Sequence, residues 1–216
     1  MKYLLKALII LVVLASASTA SAQLNEHYDP PFSAEVFMGM TFQLTNFEHE
    51  DQTGLQTDPI SWSPRIQLGG AAAVRIWNPL HMDLGLRLGL AFQNSQQIGE
   101  ITKSYDKPIT MFEITPYVKA VIYPFVDDRW GVSVETGVGM LIGSGGKQGA
   151  TLIPEKTQTA LRIRFAVGAI WRYAKDVAIT FDVASLVTDI SLTSEWQSEV
   201  GTILYLEPRV GWQFRF

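Results

Sequence analysis

No cysteine occurs in the 216 residues, which excludes a disulfide framework and a cysteine-linked lipid anchor. Histidine is almost as scarce. His27, His49 and His81 are the whole supply, so imidazole chemistry has three residues to draw on. Behind the first 22 residues no apolar run nears the roughly 18 that mark a membrane-spanning helix. Nor is there a basic excess: the net charge is −4, which gives no reason to expect nucleic acid as a partner. An apolar chain without a spanning helix fits a soluble β-sandwich, or a barrel whose hydrophobicity is spread over alternate positions.

What is present begins with MKYLLKALIILVVLASASTASA. Lys2 and Lys6 precede an apolar run from Leu8 to Leu14, and Ala20-Ser21-Ala22 makes a small-residue cleavage site. Residues 1–22 therefore read as a secretory signal peptide cut before Gln23. Removing those 22 of 216 residues leaves 194, enough for one domain, and takes the net charge from −4 to −6. Residues 23–33, with Pro30 and Pro31, read as an extended periplasmic leader, and 34–216 as the folded domain.

Period-two alternation marks eight stretches: 34–44, 65–77, 81–93, 111–123, 130–142, 158–171, 177–187 and the C-terminal one. The third is the cleanest. Met82, Leu84, Leu86, Leu88, Leu90 and Phe92 alternate with Asp83, Gly85, Arg87, Gly89, Ala91 and Gln93. Long connections are expected over Thr45–Pro64, Asn94–Thr110, Gly143–Thr157 and Thr188–Val200, and short turns at Asn78-Pro79, Pro124–Arg129 and Arg172–Asp176. Strands of about 11–14 residues exceed the roughly 5–6 usual in soluble sheets and suffice for a tilted bilayer span. Together these predict an all-β fold, an eight-stranded antiparallel up-and-down transmembrane β-barrel with short periplasmic turns and long extracellular loops. Trp130, Trp171 and Phe216 fall at short-turn ends and Phe42, Phe92 and Phe112 at long-loop ends, as two aromatic girdles would.

In the last strand Leu204, Leu206, Pro208, Val210, Trp212, Phe214 and Phe216 alternate with Tyr205, Glu207, Arg209, Gly211, Gln213 and Arg215. Its final eight residues, Arg209-Val-Gly-Trp-Gln-Phe-Arg-Phe216, resemble the terminal signal of bacterial outer-membrane barrels, with Gly211, Phe214 and Phe216 where that pattern wants them. At the level of architecture the chain behind the signal peptide resembles the small OmpA/OmpX-type eight-stranded barrels. The resemblance implies location in the outer membrane of a Gram-negative-type cell. It also implies handling by periplasmic chaperones and the barrel assembly machinery, contact with outer-membrane lipid and lipopolysaccharide, and a monomer without cofactor.

If the apolar face meets lipid, the other face lines the lumen. It carries Glu35, Asp83, Glu113, Glu135, Asp182 and Glu207 against Arg65, Arg75, Arg87, Lys119, Arg162, Arg164, Arg209 and Arg215. Lone buried charges are costly, so these are expected to pair. Glycines at 39, 85, 89, 137, 139, 168 and 211 are expected to give the arginines room. Eight strands enclose a bore that side chains fill, so the reading is an ion-paired plug, with a gated or conducting lumen as its competitor.

Other chemistries find less support. Lipid A-modifying barrels place His and Ser near the outer leaflet, but His27 lies in the leader and His81 at a periplasmic turn. Only His49, among Glu48, Glu50 and Asp51, falls on the outer side, with Ser95 or Ser104 as conceivable nucleophiles. The same acidic run could hold a divalent cation, although a solvated loop explains it as well. Gly143-Ser-Gly-Gly-Lys147 lacks the first glycine and the Ser or Thr of a phosphate loop, and reads as a flexible loop. Pro116 and Pro208 sit mid-strand on the lipid face, where each marks either a β-bulge or a lateral opening like those of the acyltransferases and OmpW-like barrels. The expected role is non-enzymatic, structural or surface-interacting. The alternatives are a narrow channel or carrier for small apolar or ionic solutes, and then a lipid A-modifying enzyme.

Overall fold

The computed structural model describes residues 31–45, 60–78, 80–98, 100–124, 129–147, 158–174, 176–189 and 203–216. They form nine strands: β1 (Phe32–Gln43), β2 (Ile60–Trp62), β3 (Arg65–Trp77), β4 (Met82–Ile98), β5 (Ile101–Ile122), β6 (Trp130–Lys147), β7 (Gln158–Ala174), β8 (Val177–Asp189) and β9 (Ile203–Arg215). Every pairing is antiparallel. Eight strands close a ring in the order β1-β3-β4-β5-β6-β7-β8-β9, and β9 returns to β1. The ends of the described chain clasp each other: Phe32 N–H donates to Phe216 O at 3.2 Å and Phe216 N–H to Phe32 O at 3.0 Å. Closure leaves no sheet edge around the ring, the condition for a strand structure to stand in hydrocarbon.

The burial pattern is that of a globular protein turned inside out. Outward-facing Leu84, Leu86, Leu88 and Leu90 of β4 are exposed, while Asp83, Arg87 and Gln93 of the same strand are buried. The other barrel strands repeat the alternation, so this is a transmembrane barrel with an apolar exterior and a polar lumen.

Several strands outrun their expected limits. β1 starts at Phe32, which pairs with Val74, so the leader ends earlier than the sequence suggested. The expected loop Asn94–Thr110 is largely hairpin. β4 and β5 continue past a register shift at Gln93/Ser95, with Ser95 opposite Ser104 and Ile98 opposite Ile101. Their exposed outward residues, Thr102, Ser104 and Asp106, are polar because they stand above the apolar belt, so the apolar alternation that reveals the lower strand is missing. β2 pairs with this extension, Ile60 opposite Ile98, inside the expected loop Thr45–Pro64. β6 runs through Gly143-Ser-Gly-Gly-Lys147, which is strand and not flexible loop, and Lys147 pairs with Lys107. The signal peptide, most of the leader with His27, and the run Glu48, His49, Glu50, Asp51 lie outside the described residues.

At the short-turn end His81 N–H donates to Asn78 O at 2.9 Å, and His81 takes a φ of 42°, a left-handed backbone that closes the β3–β4 turn.

Candidate functional site

The lumen brings together the charged side chains that the alternation points inward. Its keystone is Arg164 of β7, fully buried. It donates to three carboxylates from three strands: Nε to Glu135 of β6 at 2.9 Å, Nη1 to Glu207 of β9 at 2.9 Å and Nη2 to Asp182 of β8 at 3.0 Å. Around it the charges alternate in sign. Arg87 of β4 forks onto both oxygens of Glu135. Arg209 forks onto Asp182 at 2.9 and 2.8 Å. Arg162 bridges Glu113 and Glu207, the latter at 3.3 Å. Lys119 stands 3.8 Å from Glu35, and Arg75 pairs with Asp83 at 2.5 Å. In the central layer five cations thus face five carboxylates. Pairing of this kind offsets the cost of removing each charge from water.

The Arg75–Asp83 pair lies beyond this layer, and so do two further predicted lumen cations. Arg65, at the long-connection end, stacks over the Tyr205 ring at 4.8 Å. Arg215, at the short-turn end, donates to Tyr123 Oη at 3.2 Å.

Neutral lumen residues complete the satisfaction of the carboxylates. Gln67 and Thr115 each donate to Glu113 at 2.8 Å, Thr41 donates to Glu207 at 3.0 Å, and Thr180 donates to Glu35 at 2.9 Å. Phe37 lies under both Arg209 (4.6 Å) and Arg87 (5.3 Å), and Tyr117 under Arg87 at 4.8 Å. A search for charge alone passes over these residues, yet they occupy the same period-two face. Apolar layers bracket the ions, with Ala91, Met111 and Leu141 toward the long connections and Val121, Ile170 and Ala178 toward the short turns.

The lumen glycines make room, though mostly not for arginine. At Gly39 a Cβ would meet Arg209 Cγ at 2.6 Å, and at Gly211 it would meet Glu35 Oε1 at 2.6 Å and Thr180 Oγ1 at 2.7 Å. The other lumen glycines face Tyr117, Gln67, Thr115 and Asp182.

On the outer surface Trp130 stacks on Trp171 at 5.9 Å, beside Tyr173, all at the short-turn end. Phe214 and Phe216 are exposed there too. Phe92 and Phe112 are exposed but lie inside their strands and not at strand ends, because β4 and β5 continue past them. The next outward residues, Asn94 and Thr110, are polar, so the two rings mark the upper limit of the apolar belt. Phe42 is half-buried opposite Leu206.

The mid-strand prolines produce no bulge, contrary to one expectation. Pro116 pairs with Leu86 of β4, but Thr115 and Pro116 have no partner on β6, and the register resumes unshifted at Tyr117–Gly137. Pro208 pairs with Val183 of β8, while the β1–β9 ladder skips from Gly39–Arg209 to Phe42–Leu206. Behind both interruptions stand ionic and hydroxyl groups, Glu113 with Thr115 and Glu207 with Thr41. The conceivable nucleophile Ser95 donates to Ser63 Oγ at 2.8 Å, serine to serine. His81 sits at the opposite end, with Nδ1 2.9 Å from Arg75.

No family model matches the chain, and no curated protein matches it in sequence. Solved structures do. Neisserial surface protein A superposes with a TM-score of 0.53 at 10% identity, covering 86% of this chain and 97% of that one. This chain has the fold of the small outer-membrane β-barrels. Two further structures, both with lower scores, are the N-terminal β-barrel domain of Pseudomonas aeruginosa OprF and Ail of Yersinia pestis. The first has a TM-score of 0.44 at 9% identity and covers 84% of this chain and 97% of that one. The second has a TM-score of 0.40 at 10% identity and covers 86% and 99%.

Proposed function

We propose that this chain is a non-enzymatic outer-membrane β-barrel, structural or surface-interacting in role, whose lumen is closed by its own ion pairs. The observation that carries the reading is the filled central layer, in which Arg164 engages three carboxylates and five cations face five anions. Ions so paired leave no free charge to draw a solute through an eight-stranded bore. Export through residues 1–22, contact with outer-membrane lipid and lipopolysaccharide, help from periplasmic chaperones and the assembly machinery, and a monomeric state belong to the same proposal. The carrier alternative is disfavoured by the ionic residues behind Pro116 and Pro208, since an apolar solute entering there would meet charge.

The test is single-channel conductance of the refolded chain, residues 23–216, in a planar bilayer, beside an Arg87→Ala/Arg164→Ala variant. A silent parent and a conducting variant are expected. Reproducible steady current in the parent would overturn the closed lumen and favour a channel.

A further inference from the structure

We propose that the barrel wall is built as two four-stranded half-shells that meet along two weakened seams, and that two ion pairs crossing the lumen hold the shells together. The first seam is β1–β9, where Met40 and Thr41 find no partner opposite Glu207 and Pro208. The second is β5–β6, interrupted at Thr115 and Pro116 and again at Pro108, between Lys107–Lys147 and Ile109–Gly145. A proline supplies no ladder N–H, and at Pro116 and Pro208, within the apolar belt, the carbonyl facing it gains no water in exchange. In the ring order four strands separate the seams in either direction: β6, β7, β8 and β9 on one side and β5, β4, β3 and β1 on the other. The seams are therefore diametrically opposed. The other barrel ladders carry no unshifted gap among the described residues, and their irregularities are register shifts at Arg75/Trp77, Gln93/Ser95 and Arg172/Ala174.

Most of the ion pairs respect the same division. Arg164 with Glu135, Asp182 and Glu207, and Arg209 with Asp182, stay inside one shell, while Lys119–Glu35 and Arg75–Asp83 stay inside the other. Arg87–Glu135 and Arg162–Glu113 cross from shell to shell. Hydrogen bonds also cross: Thr41 to Glu207 at the gap of the first seam, Thr180 to Glu35, and Arg215 to Tyr123 Oη. Such a wall opens by moving one rigid half against the other, with the motion absorbed at the prolines. It does not open by fraying of a single strand.

The absence of cysteine makes the test direct. Spin labels at Leu88→Cys and Val183→Cys report the distance between shells, and labels at Met140→Cys and Leu206→Cys the width of one shell. In the refolded full barrel, Arg87→Ala with Arg162→Ala should broaden the first distance distribution and shift it outward, leaving the second unchanged. Broadening of both together, or of neither, overturns the proposal. Should that variant not refold, Pro116→Ala with Pro208→Ala keeps every ion pair and restores two N–H donors. Amide exchange should then slow along β1–β9 and β5–β6 and stay unchanged along β7–β8. Uniform slowing, or none, overturns the division into shells. Both readouts are independent of whether the lumen conducts.

Discussion

At the residue scale the lumen is governed by the cost of a charge without a partner. Arg164 illustrates it, because its removal would take one of the paired cations from each of three buried carboxylates. Arg164→Ala should therefore cost about 3–5 kcal/mol, the range for breaking a buried pair from one side, read as a lowered urea midpoint of the folded, heat-modifiable band. An equal midpoint for variant and parent would show the network to be energetically idle. Gly39 depends on a contact, not on charge. A side chain there meets Arg209 Cγ at 2.6 Å, and Arg209 is pinned on Asp182 and Phe37. Gly39→Val is expected to cost about 1–3 kcal/mol as overpacking in the same assay, and neutrality would mean that Arg209 moves aside freely.

At the element scale, β4 shows how one strand serves two solvents. Leu86 and Arg87 are chain neighbours, one 45% exposed and the other 0%. Leu86→Arg should destabilise the barrel in lipid by about 2–4 kcal/mol, as a charge near the bilayer midplane does. A cost near zero in bilayers would contradict a lipid-facing exterior. Higher up, β4, β5 and β2 form a sheet with polar residues on its exposed outer positions, such as Thr102, Ser104 and Asp106. The central ion pairs draw no residue from it. Deleting residues 96–103 should leave the folded band and its thermal midpoint within a few degrees of the parent, whereas loss of folding would place the hairpin among the elements the wall requires.

At the scale of the whole molecule, stability comes from closure. The last strand pairs with the first, and Phe216 and Phe32 exchange backbone hydrogen bonds. That arrangement separates assembly from stability. Phe216→Ala should reduce insertion in cells, if the C-terminal residues act as an assembly signal, while refolding in detergent proceeds as for the parent. Equal loss in both settings would assign Phe216 to the fold alone.

The eight barrel strands and their inward and outward faces are legible in the sequence, because within the bilayer each position meets either hydrocarbon or the lumen. Residue types must then alternate with a period of two. Where that contrast ends, legibility ends too: the β4–β5 extension carries polar residues at its exposed outward positions, β2 is three residues long, and the far end of β6 is mostly glycine, so none shows a sustained apolar alternation. The charged lumen residues can be named from the pattern, but their partners cannot. Arg164 and Glu207 are far apart in the chain, and only the pairing and stagger of β7, β8 and β9 bring them to 2.9 Å. The same holds for Pro116 and Pro208. The sequence places both on the lipid face, but only the ring order sets their gaps on opposite walls, because opposition is a property of closure, which no local pattern encodes.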